Sequence, residues 1–126
     1  MAFDPARVVS TVTHNGVKVF VNDLTACTNT AEVLLALEAM VANTRLQASK
    51  MRTVTNITGV TLDSVAMDRA NLLGKEVFNA MALRSAVVGV VGYKKILLRT
   101  FSFFSGIAPV PFETVAAALD HVVKDK

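Results

Sequence analysis

Two histidines, a single cysteine and a glycine turn followed by lysines are the places in this chain where chemistry could begin. Histidine changes charge near neutral pH and so carries much of the acid–base and metal work of proteins. His14 stands beside an Asn-Gly turn and His121 in the last apolar-periodic segment; neither has a second ligand at a spacing such as H-E-x-x-H. Both read as surface histidines. Cys27 precedes a helix start, a position that could lower its pKa. It has no Cys or His at zinc spacing and no second Cys for a disulfide, so packing is the preferred reading. Ser105-Gly106 closes a segment read as helix, where glycine is the ordinary residue after the last turn, and no G-x-S-x-G elbow is present. Gly89-Val90-Val91-Gly92 followed by Lys94 and Lys95 could hold an anion on free helical N–H groups. Its spacing matches neither G-x-x-x-x-G-K-[ST] nor G-x-G-x-x-G, and Gly92 as a plain turn residue is the preferred reading. The chain therefore reads as non-enzymatic, with no cofactor and no metal.

The elements that must position these residues are legible from their patterns. Asn15-Gly16 between the β-branched runs Arg7 to His14 and Val17 to Val21 is a strong hairpin signal, because a type I′ turn needs positive φ at both central residues. Asn29 with Glu32 three residues later has the form of a capping box. Val33, Leu34, Leu37, Met40, Val41 and Thr44 then share one helical face, predicting a helix to about Ala48. A strand over Arg52 to Thr58 follows. Asp63 or Ser64 can cap a second helix whose inner stripe runs Met67, Ala70, Leu73, Gly74, Val77, Phe78 and Met81. Ser85 to Val91 is an uninterrupted apolar run that suits a strand covered on both faces. Tyr93 to Phe104 reads as a third helix, Ala108 to Phe112 as an edge strand marked by Pro109 and Pro111, and Glu113 to Lys124 as a last helix. Helices between strands imply right-handed crossovers. The expectation is an α/β fold with a mixed, mainly parallel five-stranded sheet, an N-terminal β-hairpin and about four helices, in one domain over residues 1–126.

Composition narrows the classes. A hydrophobic fraction of 52% against 18% charged residues excludes a disordered chain. It leaves little polar surface, so a buried face between two copies and an Ala- and Val-rich core are both expected readings. The net charge is +3, but the basic residues are scattered and only Lys94, Lys95 and Arg99 cluster, which argues against nucleic acid as a partner. No positively charged leader precedes an apolar run and no long uncharged apolar stretch occurs, so a cytoplasmic location is expected. In the third helix the polar stripe is narrow, Lys94, Lys95, Arg99 and Ser102, beside Phe101, Phe103 and Phe104. Such a helix either snorkels its lysines over a core or lies on an anionic membrane or partner.

Three segments carry a resemblance. Ser85-Ala86-Val87-Val88-Gly89-Val90-Val91-Gly92-Tyr93-Lys94-Lys95-Ile96-Leu97-Leu98 is similar to the phrase A-V-V-G-V-x-G-x-K-K-x-L of SpoIIAA-like proteins of the STAS superfamily. Val54-Thr55-Asn56-Ile57-Thr58-Gly59 resembles that family's V-D-x-T-G strand end, and the stretch from Pro111 to Val122 its closing F-x-x-x-E-E-A-L-x-W-L. The likeness spans about residues 51–122, and the hairpin agrees in pattern only. It implies a mixed sheet flanked by helices and a regulatory or ligand-sensing module that meets a protein partner. Where the family's anti-sigma antagonists carry a phosphorylatable serine in D-S-S-G, this chain has Asp63-Ser64-Val65-Ala66, which keeps Asp-Ser and lacks the second Ser and the Gly. Asn56 replaces the strand-end Asp and His121 the Trp. The alternative expectation is a binder of a lipid or other apolar small ligand, or a membrane-surface protein, acting through Lys94, Lys95 and Arg99.

Overall fold

The computed structural model describes residues 3–90 and 110–124. Asp4 caps a short 3-10 turn, Pro5–Arg7, that leads into β1 (Val9–His14) and, through Asn15-Gly16, into β2 (Val17–Asp23). Asn15 and Gly16 have φ of 52° and 77°, the two positive values a type I′ turn demands. The hairpin is antiparallel in the register Val9↔Asn22 to His14↔Val17. Beyond it come α1 (Thr30–Arg45), β3 (Met51–Asn56), α2 (Ser64–Leu73), a π turn (Gly74–Phe78), α3 (Asn79–Met81), β4 (Ala82–Val88), β5 (Val110–Phe112) and α4 (Val115–Val122). The sheet has five strands in the order β1-β2-β3-β4-β5, and β2, β3, β4 and β5 run parallel. The expected α/β fold, with its mixed, mainly parallel sheet and opening hairpin, is the observed one.

Strand alternation sends the two faces of this sheet to different neighbours. Val19, Val54, Ala86 and Val88 pack with Ala118 and Val122 of α4 into a tight apolar layer. The opposite residues, Leu24, Ile57 and Val87, meet Val33, Ala36, Leu37 and Val41 of α1 and Ala66 and Leu73 of α2. Ala86, Val87 and Val88 are all buried, as an uninterrupted apolar run requires of a strand covered on both sides. β5 lies at the sheet edge, where Pro111 removes no interior ladder bond.

Local chemistry shifts several boundaries. Asn29 does cap α1, its Oδ1 accepting from Glu32 N at 2.9 Å, but the Glu32 carboxylate takes Thr28 N and Oγ1, so the reciprocal arm lies one residue upstream of the expected box. The helix stops at Arg45 rather than Ala48, its last turn tightening as Leu46 N and Gln47 N bond the carbonyls of Asn43 and Thr44. β4 begins at Ala82, straight after α3, and ends at Val88 because Gly89 turns the chain with φ of 93°. A Cβ on Gly89 would stand 2.5 Å from Thr58 Cα, so this glycine serves the close approach of two backbones. Arg84, which precedes the apolar run beginning at Ser85, lies within the strand. Arg52 Nη1 donates to the carbonyls of Val122 at 2.7 Å and Lys124 at 3.0 Å, with Arg84 Nη1 a longer 3.5 Å from His121 O; both cations complement the C-terminus of α4.

Candidate functional site

Between the α1/α2 layer and the sheet lies a cavity of about 190 Å³. Its floor is made by the inward residues of three strands: Asn22 of β2 with Leu24 just beyond, Met51, Thr53 and Thr55 of β3 with Ile57 beyond, and Ser85 and Val87 of β4. Leu37, Met40 and Thr44 of α1, Met67 and Ala70 of α2, and Phe78, Asn79 and Met81 form the walls. The π turn advances Phe78 and Asn79 into this lining, a location where such turns recur at functional sites.

The cavity follows from side-chain volume. Under two helices a parallel sheet ordinarily presents Val, Ile and Leu, but here the central floor positions are Thr53, Thr55, Ser85 and Asn22. Thr and Ser fill less space than Ile or Leu, and their oxygens pair along the sheet. Asn22 Nδ2 donates to Thr55 Oγ1 at 3.2 Å across the register pair Asn22↔Thr55, and Thr53 Oγ1 donates to Ser85 Oγ at 3.1 Å across Thr53↔Ser85. Four of the five methionines, Met40, Met51, Met67 and Met81, line the space. Methionine is unbranched and polarisable and adapts to irregular partners, which is why it is over-used at accommodating binding surfaces.

The second site stands at the start of α2. Asp63, not Ser64, caps the helix: its Oδ1 accepts from Ala66 N at 2.9 Å, and its Oδ2 accepts from the Thr30 hydroxyl at the first residue of α1. The Thr30 hydroxyl, followed by the Ala66 N–H, holds the Asp63 carboxyl below its ordinary 3.8. Ser64 is exposed at the first helical position, so Asp63 and Ser64 divide the roles of cap and free hydroxyl. Two matching turns flank this end of the sheet: Asp23 Oδ1 accepts from Thr25 N, and Asn56 Oδ1 from Thr58 N at 3.1 Å.

The remaining sequence candidates fall into place one by one. Cys27 is 7% exposed within the core, and burial, with Glu32 and Asp23 adding to it, pushes its thiol up to about 11; the helix start does not activate it. His14 is no isolated surface ring: its Nε2 lies 2.6 Å from Asp120 Oδ1, tying the hairpin to α4. His121 packs at 5.2 Å on the Phe112 ring, and burial, then Arg84 and Lys124, lower its pKa from 6.5. Lys94, Lys95 and Arg99 lie outside the described residues, as do Ser105 and Gly106. Among the described residues no three His, Cys, Asp or Glu gather as metal ligands, and no helix is long and apolar enough to cross a membrane. No protein-family model, curated protein or solved structure matches the chain.

Proposed function

We propose that this chain is a non-enzymatic binding module that holds a small, mainly apolar molecule between its sheet and the α1/α2 layer. The observation that carries this reading is the cavity itself, about 190 Å³ and walled by four methionines, Phe78 and aliphatic side chains. It exceeds the roughly 150 Å³ of an engineered apolar cavity that stays dry and binds benzene. One substituted ring fits that size better than a long acyl chain. Propylbenzene titrated into the native chain, followed by calorimetry and thermal denaturation, tests the reading. Saturable binding that raises the melting temperature is expected. Ala70→Leu, which projects a larger side chain from α2 into the space, should weaken binding more than about tenfold while leaving the fold as stable or more so. Equal binding by both proteins, or no binding by either protein of propylbenzene or of its phenol and benzoate analogues, would end the proposal.

A regulatory module of the SpoIIAA-like kind is the second reading. It is supported by the order of elements and by the exposed Ser64 hydroxyl beside Asp63 at the start of α2. A phosphoryl group there would place about −1.5 to −2 charges against a helix N-terminus, favourable to the helix yet altering the surface offered to a partner. Intact-mass measurement after incubation with candidate kinases, with Ser64→Ala as control, is the test. An unmodified Ser64 removes the switch.

A further inference from the structure

The floor of the cavity says more about its occupant than its size does. None of the described residues lining it carries a titratable group, yet its centre is polar: Asn22, Thr53, Thr55 and Ser85 stand together on three adjacent strands. Asn22 is 6% exposed, and while its Nδ2 donates to Thr55, its Oδ1 takes no bond from a described residue. Each hydroxyl can donate once and accept twice. Thr53 spends its proton on Ser85, so the Ser85 and Thr55 protons remain to be donated, and Asn22 Oδ1 remains to accept. Asn22 is buried and Thr53, Thr55 and Ser85 are half-buried, so a guest that fills the space removes the remaining water from these groups and must pair with them.

We infer that the cavity selects a neutral ligand: one apolar ring or short branched body carrying a single uncharged group, such as a hydroxyl, that both donates and accepts a hydrogen bond at the Asn22–Thr55–Thr53–Ser85 floor. A carboxylate of the same shape could accept from Ser85 and Thr55. It would, however, lose its water with no Lys, Arg or His among the described lining residues to compensate. An amine is disfavoured on the same ground, with no Asp or Glu among the described lining residues to meet it. A hydrocarbon fits the walls but leaves the floor unpaired. This inference rests on the cavity being a ligand site and adds the chemistry of its ligand.

Three probes of matched size separate the two claims: propylbenzene, 4-propylphenol and 4-propylbenzoate. At neutral pH the phenol is un-ionised, its pKa being about 10, while the benzoate is charged. Calorimetric titration of the native chain should rank the phenol about tenfold tighter than propylbenzene. The benzoate should bind at least about a hundredfold more weakly than the phenol. In the double variant Thr53→Val with Ser85→Ala, which keeps Asn22 and Thr55, the advantage of the phenol over propylbenzene should shrink by at least about threefold. Propylbenzene binding by that variant reports that its cavity is intact. Should none of the three bind the native chain, the ligand reading itself falls and this inference with it. If all three bind and the phenol has no advantage, or the benzoate matches it, the cavity is a ligand site but the neutral, hydrogen-bonded head group is wrong.

Discussion

The two faces of the central sheet are built from the same three strands and do different things. Toward α4, Val19, Val54, Ala118 and Val122 are fully buried and Ala86 and Val88 nearly so, a layer without room for a guest. Toward α1 and α2, the alternate positions of the same strands include Asn22, Thr53, Thr55 and Ser85, and these border about 190 Å³ of open volume. A single step in β3, from Val54 to Thr55, crosses from sealed core to cavity floor. Burying a valine contributes about 1.5–3 kcal/mol, and the α4 face is filled with such side chains throughout. The α1/α2 face buries a larger cluster, from Val33 and Leu37 to Leu73 and Val87, and beside it still leaves volume unfilled. One face is sealed; its reverse both packs and keeps room to bind.

Substitutions that treat the faces unequally test this division. The largest effect is expected from Val54→Asp, which buries an unpaired carboxylate against α4. It should cost more than about 4 kcal/mol and leave little folded protein in urea titration. Retention of a cooperative fold would break the claim that this face is sealed.

Next in size is a pH effect confined to the α4 side. The fold lowers the His121 pKa from 6.5, so the unfolded chain binds the proton more readily than the folded one. The His121 contribution is therefore intact above about pH 6.5 and declines as the pH falls through and below that value. Comparing native chain and His121→Gln by thermal denaturation at about pH 7.5 and about pH 5 should show a smaller acid-induced drop in the variant. Identical drops would show that the contacts of the ring with Arg84 and Phe112 do not govern its titration. The cavity floor holds no titratable group among the described residues, so ligand affinity at the two pH values should stay level wherever the protein remains folded.

The smallest effect belongs to the floor itself. Thr53→Val with Ser85→Ala removes both members of one hydrogen bond, and such paired removal is close to neutral. The urea midpoint should move by less than about 1 kcal/mol equivalent. A loss larger than that would make the Thr53–Ser85 pair a structural bond rather than a place kept for a ligand.

How far the sequence reveals these two faces depends on the signal. Asn15-Gly16 admits one turn chemistry, the α1 stripe repeats at helical spacing, and Pro111 confines its strand to an edge; each of these local rules survives in the fold. The cavity has no such local rule. Thr and Val are both β-branched and both suit a strand, so Thr53-Val54-Thr55 reads as a strand without saying which side a helix will cover. The alternation of hydroxyl and methyl was present, but Asn22 and Ser85 join it only through register pairs 33 and 32 residues apart. The π turn left little trace beyond Gly74, since a bulge within a helix keeps the same apolar stripe. At the start of α2, Asp63 and Ser64 are both good caps, and the Thr30 hydroxyl that donates to the capping Asp63 is distant in sequence.

The difference between the faces can be read in one spectrum. Methionine methyl groups labelled with carbon-13, together with valine methyls, report on both sides of the sheet at once. Titration with 4-propylphenol should shift the Met40, Met51, Met67 and Met81 signals along one saturable curve, while Val19, Val54 and Val88 stay in place. Unmoved methionines at saturating probe, or shifts of equal size on both faces, would contradict the account.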